Sequence, residues 1–286
     1  MDIQHVLNTD VSTRSVVESM IREDATIAAG ELYDVANILG MSDQQVRLCV
    51  KRLVAEGRFT QDGRGRKAIL RATEATRGAL EPDLEFVRYM YEQDRGHVPW
   101  DGRWHLVAFA IPESSRAARD AMRGEVVRLG GAPIQGGLYV CANAWESRIS
   151  ALAGQLDVAE HTTTFTTTDL VIGGQSGARE LAERLWPIDA IADRHRRLLA
   201  VSEGTLPALR TASHTELLTL AVALAAEFTR AVEPDPLLPP QLLPQPWIGT
   251  AARAAVAACW AEMAKTEAEQ PIRLFRWYAG AVRQII

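Results

Sequence analysis

Apolar and polar positions follow a helical period in three segments of the first 56 residues. Apolar residues that recur every three or four positions are typical of helices with one buried face. The predicted helices lie near 13–22, near 30–39 and over 42–56. Their apolar positions are Val16, Val17, Met20 and Ile21 in the first, Leu32, Val35, Ala36 and Leu39 in the second, and Val46, Val50, Leu53 and Val54 in the third. A short turn with Gly40 joins the second and third helices, as in a helix-turn-helix.

A short hairpin is predicted directly after the third helix. Gly57 ends that helix, and Phe59 begins a strand. The pair Asp62-Gly63 is typical of hairpin turns, and residues 68–70 can form the return strand. Three helices followed by such a hairpin are the pattern of a winged helix-turn-helix.

Between residues 101 and 173 strand-like and helical patterns alternate. Predicted strands cover 104–111, 134–142 and 161–172, and predicted helices cover 114–129 and 145–154. Gly136-Gly137 within the second strand indicates a bulge or a close approach of another backbone. The order strand, helix, strand, helix, strand favours a small α+β sandwich of the ferredoxin type.

The remainder of the chain is predicted to be helical. Helices are expected near 83–94, 178–203, 213–232, 250–267 and 270–284, with a break at Gly204 and Pro207. Residues 233–249 hold six of the 13 prolines, which permits a proline-rich linker. The leucines and the tryptophan in the same segment favour instead an ordered loop that packs on the helices.

These patterns together predict an α+β, multidomain chain. The expected domains are a winged helix-turn-helix over 1–73, a linker helix over 74–100, a ferredoxin-like middle domain over 101–173 and an all-helical C-terminal domain over 174–286. A chain of 286 residues is long enough for two or three domains.

Positive charge is concentrated on the third helix and the hairpin. The whole chain has a net charge of -5, but residues 44–71 carry eight basic and two acidic side chains, a local balance of +6. Such a concentration suits the phosphates of a nucleic acid. On the polar helix face, Gln44 can pair with adenine and Arg47 with guanine, at about 1–3 kcal/mol of discrimination for each bidentate pair. A solvated helix face is the alternative interpretation.

The predicted DNA-binding residues extend from the helix to the hairpin tip. Ser42 and Gln45 have the spacing of a capping box at the helix start, and the basic hairpin tip suits phosphates or the minor groove. A purely structural role is equally open for Arg52 and Arg58. The full set is Ser42, Gln44, Gln45, Arg47, Lys51, Arg52, Arg64, Arg66 and Lys67.

Composition argues against a metal site, a disulfide or a membrane segment. The three cysteines are far apart in apolar runs and are expected to be buried thiols, and the six histidines lack metal-ligand spacing. The first ten residues lack an apolar core, and no apolar run approaches the roughly 18 residues of a membrane span. We expect a cytoplasmic protein without a cofactor.

Five stretches of the chain resemble the phenylacetate-catabolism repressor (PaaX-type) family of bacterial transcription regulators. They are SDQQVRLCVKRLVAE at 42–56, WDGRWHLVAFAIPESSRAARDAMR at 100–123, GGLYV at 136–140, LWPIDAIADRHRRLLA at 185–200 and DPLLPPQLLPQPWIGTAAR at 235–253. The resemblance implies a homodimeric repressor of operator DNA with three such domains. It also implies an effector that relieves DNA binding, which for the best-known members is an aryl-acyl-CoA thioester such as phenylacetyl-CoA.

The candidate effector site combines two tryptophans with a basic cluster that follows Trp186. Arginine suits the phosphates of a CoA-like ligand because its guanidinium is planar and always charged. The candidate residues are Trp104, Trp186, Arg194, His195 and Arg197. A surface helix with solvated arginines is the alternative.

Two further functions remain open at the level of sequence. Ser176 lies in a G-x-S-x-A pattern that resembles a nucleophile elbow, which would make the chain a hydrolase. The simpler interpretation is that Ser176 caps a helix beginning near Ala178. A nucleic-acid adaptor without a small-molecule effector is the second alternative, and a nuclease is disfavoured because the first middle-domain strand carries no carboxylate before Glu113.

Overall fold

The computed structural model describes residues 11–79, 84–265 and 272–274. The chain divides into two compact units. One unit contains Met1–Arg88, Arg196–Arg230 and Thr250–Ile286, and the other contains Tyr89–His195 and Ala231–Gly249.

The N-terminal part of the first unit is a winged helix-turn-helix. Its elements are α1 (Thr13–Ser19), β1 (Thr26–Ala28), α2 (Ala29–Ile38), α3 (Asp43–Ala55), β2 (Phe59–Asp62) and β3 (Ile69–Ala72). The three strands form an antiparallel sheet in the order β1-β3-β2. The predicted apolar faces of the three helices are buried, for example Val16, Leu32 and Val46, each with no exposed surface.

The sequence predicted only two of these three strands. β1 is three residues long and runs directly into α2, so it is too short for a periodic pattern to indicate it. Its Ile27 pairs with Leu70 of β3, and both are buried in the core of the unit. The return strand also extends to Ala72 and does not end at residue 70.

The second unit contains a four-stranded antiparallel sheet. Its elements are β4 (Trp104–Phe109), α6 (Arg116–Arg128), β5 (Ala132–Gln135), β6 (Leu138–Cys141), α7 (Glu146–Gln155) and β7 (Thr162–Thr167), while α4 (Glu74–Ala79) and α5 (Leu84–Asp94) precede them in the chain. The strand order is β5-β6-β4-β7. With one helix after β4 and one after β6, this is the ferredoxin-like arrangement that the sequence predicted, and the α+β class is confirmed.

The predicted second strand of this sheet is in fact a hairpin. Residues 134–142 were expected to form one strand, but β5 and β6 are joined by a turn at Gly136, which has a φ of +55°. The next residue, Gly137, lies so close to β4 that a methyl group there would be 2.2 Å from the Phe109 carbonyl oxygen. The glycine pair therefore marks a turn and a close approach, and it supplies the fourth strand of the fold. The last strand, expected over 161–172, ends at Thr167.

Both faces of this sheet are covered by apolar side chains. On one face, Val107 and Tyr139 pack with Met122 of α6 and Ile149 of α7. On the other face, the buried cluster includes residues of α8 (Ala178–Leu185) and the leucines of the proline-rich segment. The members of this cluster include Trp104, Leu106, Val140, Leu181, Ala182, Trp186, Leu238, Leu242, Leu243 and Trp247. The prediction of an ordered, packed loop over 233–249 is thus confirmed.

The helical remainder differs from the prediction in where it breaks. After α8 come α9 (Ile188–Ala208), α10 (His214–Val232) and α11 (Ile248–Met263). The single helix expected over 178–203 is broken before Pro187, because a residue that precedes proline is forced out of the helical conformation, and Trp186 is extended with ψ 144°. The expected break at Gly204 and Pro207 is absent, since α9 runs to Ala208 with Pro207 in its last turn.

The helix expected over 270–284 lies outside the described residues, except for positions 272–274. Among the helices that the structure describes, none combines the length and the apolar character needed to cross a membrane.

Candidate nucleic-acid interface

The recognition helix α3 begins with a complete capping box. The Ser42 hydroxyl accepts a hydrogen bond from the Gln45 amide at 3.3 Å, and the Gln45 side-chain oxygen accepts one from the Ser42 amide at 2.8 Å. Both bonds satisfy amide donors that have no partner within a helix. Two of the predicted DNA-binding residues therefore also fix where the helix starts.

We expect Ser42→Ala to lower the free energy of unfolding of the winged-helix domain by about 1 kcal/mol, since this is the typical loss for an N-cap. Ser42→Asn retains a capping oxygen and serves as the matched control. Urea unfolding followed by circular dichroism measures both. An alanine variant as stable as the asparagine variant would contradict this role of the hydroxyl.

One side of α3 is buried and the other carries exposed polar side chains. Val46, Val50 and Leu53 pack into the domain, against α1 and α2. The exposed side presents Gln44, Arg47, Leu48, Lys51 and Arg52. The sequence identified four of these five, and it missed Leu48 because an apolar residue was not considered as a DNA contact.

A cleft of about 310 Å³ separates α3 from the hairpin. Arg47 and Lys51 lie along its helix side, and Gln61 and Gly65 lie along its hairpin side. Its floor is apolar. The floor residues are Ala29, Val50, Val54, Ala68 and Leu70, with Tyr33 beside them. Two cations thus face a groove that opens beside the recognition helix.

The basic residues of the hairpin tip are not equivalent. Arg64, Arg66 and Lys67 are all exposed, but Arg66 forms an ion pair with Asp34 of α2 and lies over the Tyr33 ring, 5.6 Å from its centroid. Arg66 therefore attaches the hairpin to α2. Arg64 and Lys67 have no acidic partner among the described residues.

The cations that face outward from α3 are also unpaired. Within the described part of the chain, no carboxylate lies within ion-pair distance of Arg47, Lys51 or Arg52. Arg58 differs, because it lies 3.5 Å from Glu18 and 3.9 Å from Glu56, and these contacts give it the structural role that the sequence left open. These unpaired cations belong to a surface that we name the α3 face, which consists of Gln44, Arg47, Leu48, Lys51 and Arg52.

Most of the candidate effector residues already contact protein groups. The Trp104 and Trp186 rings stack at 6.3 Å between centroids within the buried cluster. His195 is fully buried, and its Nε2 lies 2.8 Å from the Asp235 carboxylate. Arg197 forms an ion pair of 2.9 Å with the buried Glu227. These contacts account structurally for four of the five candidates, and Arg194 is half-buried.

The structure does not give Ser176 the capping role that the sequence favoured. Ser176 is exposed and does not cap α8, whose N-cap is Gly177 without a side-chain hydrogen bond, so the capping interpretation is wrong.

Cys141 and Cys259 are buried free thiols, and burial raises the pKa of each to about 12. Neither is a reactive thiolate.

Two family models match consecutive parts of this chain. The PaaX protein central Cas2-like domain matches residues 97–182, and the PaaX-like protein C-terminal domain matches residues 186–271. The chain belongs to the PaaX family. Both matches lie after the winged helix, so the assignment of the α3 face rests on its own geometry.

A curated relative matches most of this chain. The Transcriptional repressor PaaX of Escherichia coli (strain K12) is 24% identical over 267 residues, which are 88% of this chain and 80% of the relative. A solved structure of an uncharacterized protein from Mycobacterium tuberculosis superposes with a TM-score of 0.54 at 23% identity, over 89% of this chain and 96% of that one. The second match shows a shared fold.

Membership in this family decides between the classes of function. PaaX-type proteins are transcriptional regulators and not enzymes, so the hydrolase interpretation of Ser176 is wrong. The chain is a regulator, so we expect its functional sites to be surfaces that bind other molecules.

Proposed function

We propose that this chain is a homodimeric repressor that binds operator DNA through its winged helices and is released by a small acyl-CoA-type effector. The observation that carries the proposal is the α3 face, where exposed arginine and lysine side chains stand on a capped recognition helix and have no acidic partner among the residues that the structure describes. Cations of this kind neutralise phosphates, and the bases are read from the same helix.

The exposed residues divide into two roles. We assign base contacts in the major groove to Gln44 and Arg47, since glutamine matches adenine and the guanidinium fork matches guanine. Lys51 and Arg52 flank them on the same helix, and Arg64 and Lys67 reach the backbone from the hairpin. The cleft of about 310 Å³ between α3 and the hairpin lies beside Arg47 and Lys51.

The proposed dimer is based on how helix-turn-helix proteins bind DNA. Helix-turn-helix proteins bind two half-sites about one helical turn of DNA apart, and a two-fold symmetric protein matches a palindromic operator. The domains after residue 100 are proposed to hold the dimer together and to bind the effector. We propose that the repressor acts on chromosomal DNA in the cytoplasm.

Release by an effector requires a difference in affinity between two states. A ligand that binds both states equally shifts nothing, so the effector must favour a dimer whose recognition helices no longer match the operator. The relative's name supports repression, and the family resemblance supports a thioester such as phenylacetyl-CoA.

The test is a gel shift on the protein's own promoter DNA in the presence of phenylacetyl-CoA. We expect a specific complex that the thioester dissociates. Free coenzyme A and phenylacetate, added separately at the same concentration, are the controls for its two halves. A specific complex that the thioester leaves intact would refute this effector class and retain the repressor, whereas no specific complex would refute the repressor itself.

A further inference from the structure

The centre of the α3 face is occupied by an exposed leucine. Leu48 is 56% exposed, whereas the apolar residues on the opposite side of α3, such as Val46 and Leu53, are at most 1% exposed. Large apolar side chains are exposed at only five positions of the described chain. They are Ile38, Leu48, Val127, Phe165 and Val171. Leu48 is the one that stands on the recognition helix.

The helical period places Leu48 almost opposite the buried stripe. At about 100° for each residue, Leu48 lies about 200° around the helix axis from Val46. Gln44 and Arg52 lie four residues before and after it and therefore flank it on the same face. Leu48 is thus the residue of α3 that points most directly away from its buried stripe.

The chemistry of the surroundings limits what the leucine can contact. Arg47, Lys51 and Arg52 surround it without acidic partners among the described residues. A second copy of the same face would bring these cations against their own kind, which is unfavourable. A polyanion with an apolar group at its surface is favoured instead. In the major groove of DNA, the thymine 5-methyl group is the apolar group that base edges present.

We infer that Leu48 contacts a thymine methyl group and determines specificity at that base pair. The inference rests on the proposed DNA-binding function and extends it from hydrogen bonding by Gln44 and Arg47 to apolar contact. In this arrangement the glutamine and arginine select adenine and guanine, and Leu48 adds a preference for a thymine in the same half-site. The preference arises because contact with Leu48 removes the apolar surface of the methyl group from water, which is favourable.

The experiment removes the methyl group from the DNA. A duplex is first selected from a random pool by the purified full-length protein. Each thymine is then replaced singly by deoxyuridine, which lacks only the 5-methyl group. The wild-type protein is expected to lose affinity about fourfold at one position in each half-site, the factor for one buried methyl group. Fluorescence anisotropy measures the dissociation constants.

The matching protein variant removes the leucine side chain. Leu48→Ala is expected to bind the thymine duplex several times more weakly and to make no distinction between thymine and deoxyuridine at the sensitive position. Val127→Ala, which shortens an exposed apolar residue on α6 outside the winged helix, is expected to keep the full distinction. Because Leu48 is exposed, the alanine variant should unfold at the wild-type urea concentration.

Four results separate the possible failures. If no deoxyuridine position affects the wild-type protein, or if Leu48→Ala remains as sensitive as wild type, Leu48 does not read a methyl group. If the wild-type protein selects no sequence from the pool, the proposed function itself fails. A Leu48→Ala variant that binds every duplex as tightly as wild type would also overturn the inference.

Discussion

Arg47→Ala is expected to weaken binding to the operator by about 5- to 150-fold, which corresponds to about 1–3 kcal/mol for one bidentate contact with guanine. Arg47 is exposed on α3 and has no acidic partner among the described residues. Its removal therefore takes away the proposed DNA contact without breaking an ion pair among the described residues. The change in affinity should come with an unchanged urea midpoint, and equilibrium binding to operator and to unrelated DNA measures it.

The control variants separate charge from geometry. Arg47→Lys keeps the positive charge but not the planar fork, so it should lose specificity and retain most of its affinity for unrelated DNA. Lys67→Ala, at the hairpin tip, should weaken binding to all sequences alike. It should also reduce the salt dependence of the affinity by the amount expected for the loss of about one phosphate contact. Operator binding by Arg47→Ala at full strength would contradict the assignment of α3 as the reading helix.

Asp235→Ala is expected to lower the free energy of unfolding of the second unit by about 2–6 kcal/mol. The Asp235 carboxylate contacts Nε2 of the fully buried His195 at 2.8 Å and accepts a hydrogen bond from the Leu237 amide at 2.9 Å. Alanine would leave two buried polar groups without this partner, and each unsatisfied group costs about 1–3 kcal/mol.

Asp235→Asn is the matched control, since an amide side chain can hydrogen-bond both groups and should lose much less. Urea unfolding followed by tryptophan fluorescence is a suitable measurement, because the Trp247 ring lies 5.9 Å from the His195 ring. If Asp235→Ala and Asp235→Asn both unfold at the urea concentration of the wild type, the contacts of the Asp235 carboxylate do not stabilise the second unit.

The sequence was sufficient for the parts of the fold that carry a long periodic signal. The thirteen residues of α3 show four apolar positions on one face and a complete capping-box motif, and the structure places the N-cap at Ser42 as predicted. The packed loop over 233–249 was also predicted, because its leucines recur too often for a solvated linker. In both cases the information lies in neighbouring residues.

The sequence failed where the structure depends on distant contacts or on very short elements. β1 has three residues, and its strand character comes from pairing with β3, which lies more than 40 residues further along the chain. The hairpin of β5 and β6 depends on the close approach of Gly137 to Phe109. No local pattern indicates the pairing of β1. The glycine pair in the second case indicates a close approach, but it does not show that the segment is a hairpin.

The same distinction applies to the candidate site. The sequence identified the basic residues of the hairpin tip as a group, but only the structure separates Arg66, which is paired with Asp34, from Arg64 and Lys67. It likewise gave no reason to expect that His195 would be buried against Asp235, 40 residues away. Pairing between distant side chains decides which charges remain available to a ligand.

The central claim is that the α3 face reads a specific DNA sequence. The most direct measurement is the affinity of the purified full-length protein for its own promoter DNA in a large excess of unrelated duplex of the same length. We predict a complex that survives this competitor and whose affinity falls about 5- to 150-fold in Arg47→Ala. Equal displacement by promoter and unrelated DNA, with Arg47→Ala indistinguishable from wild type, would contradict it.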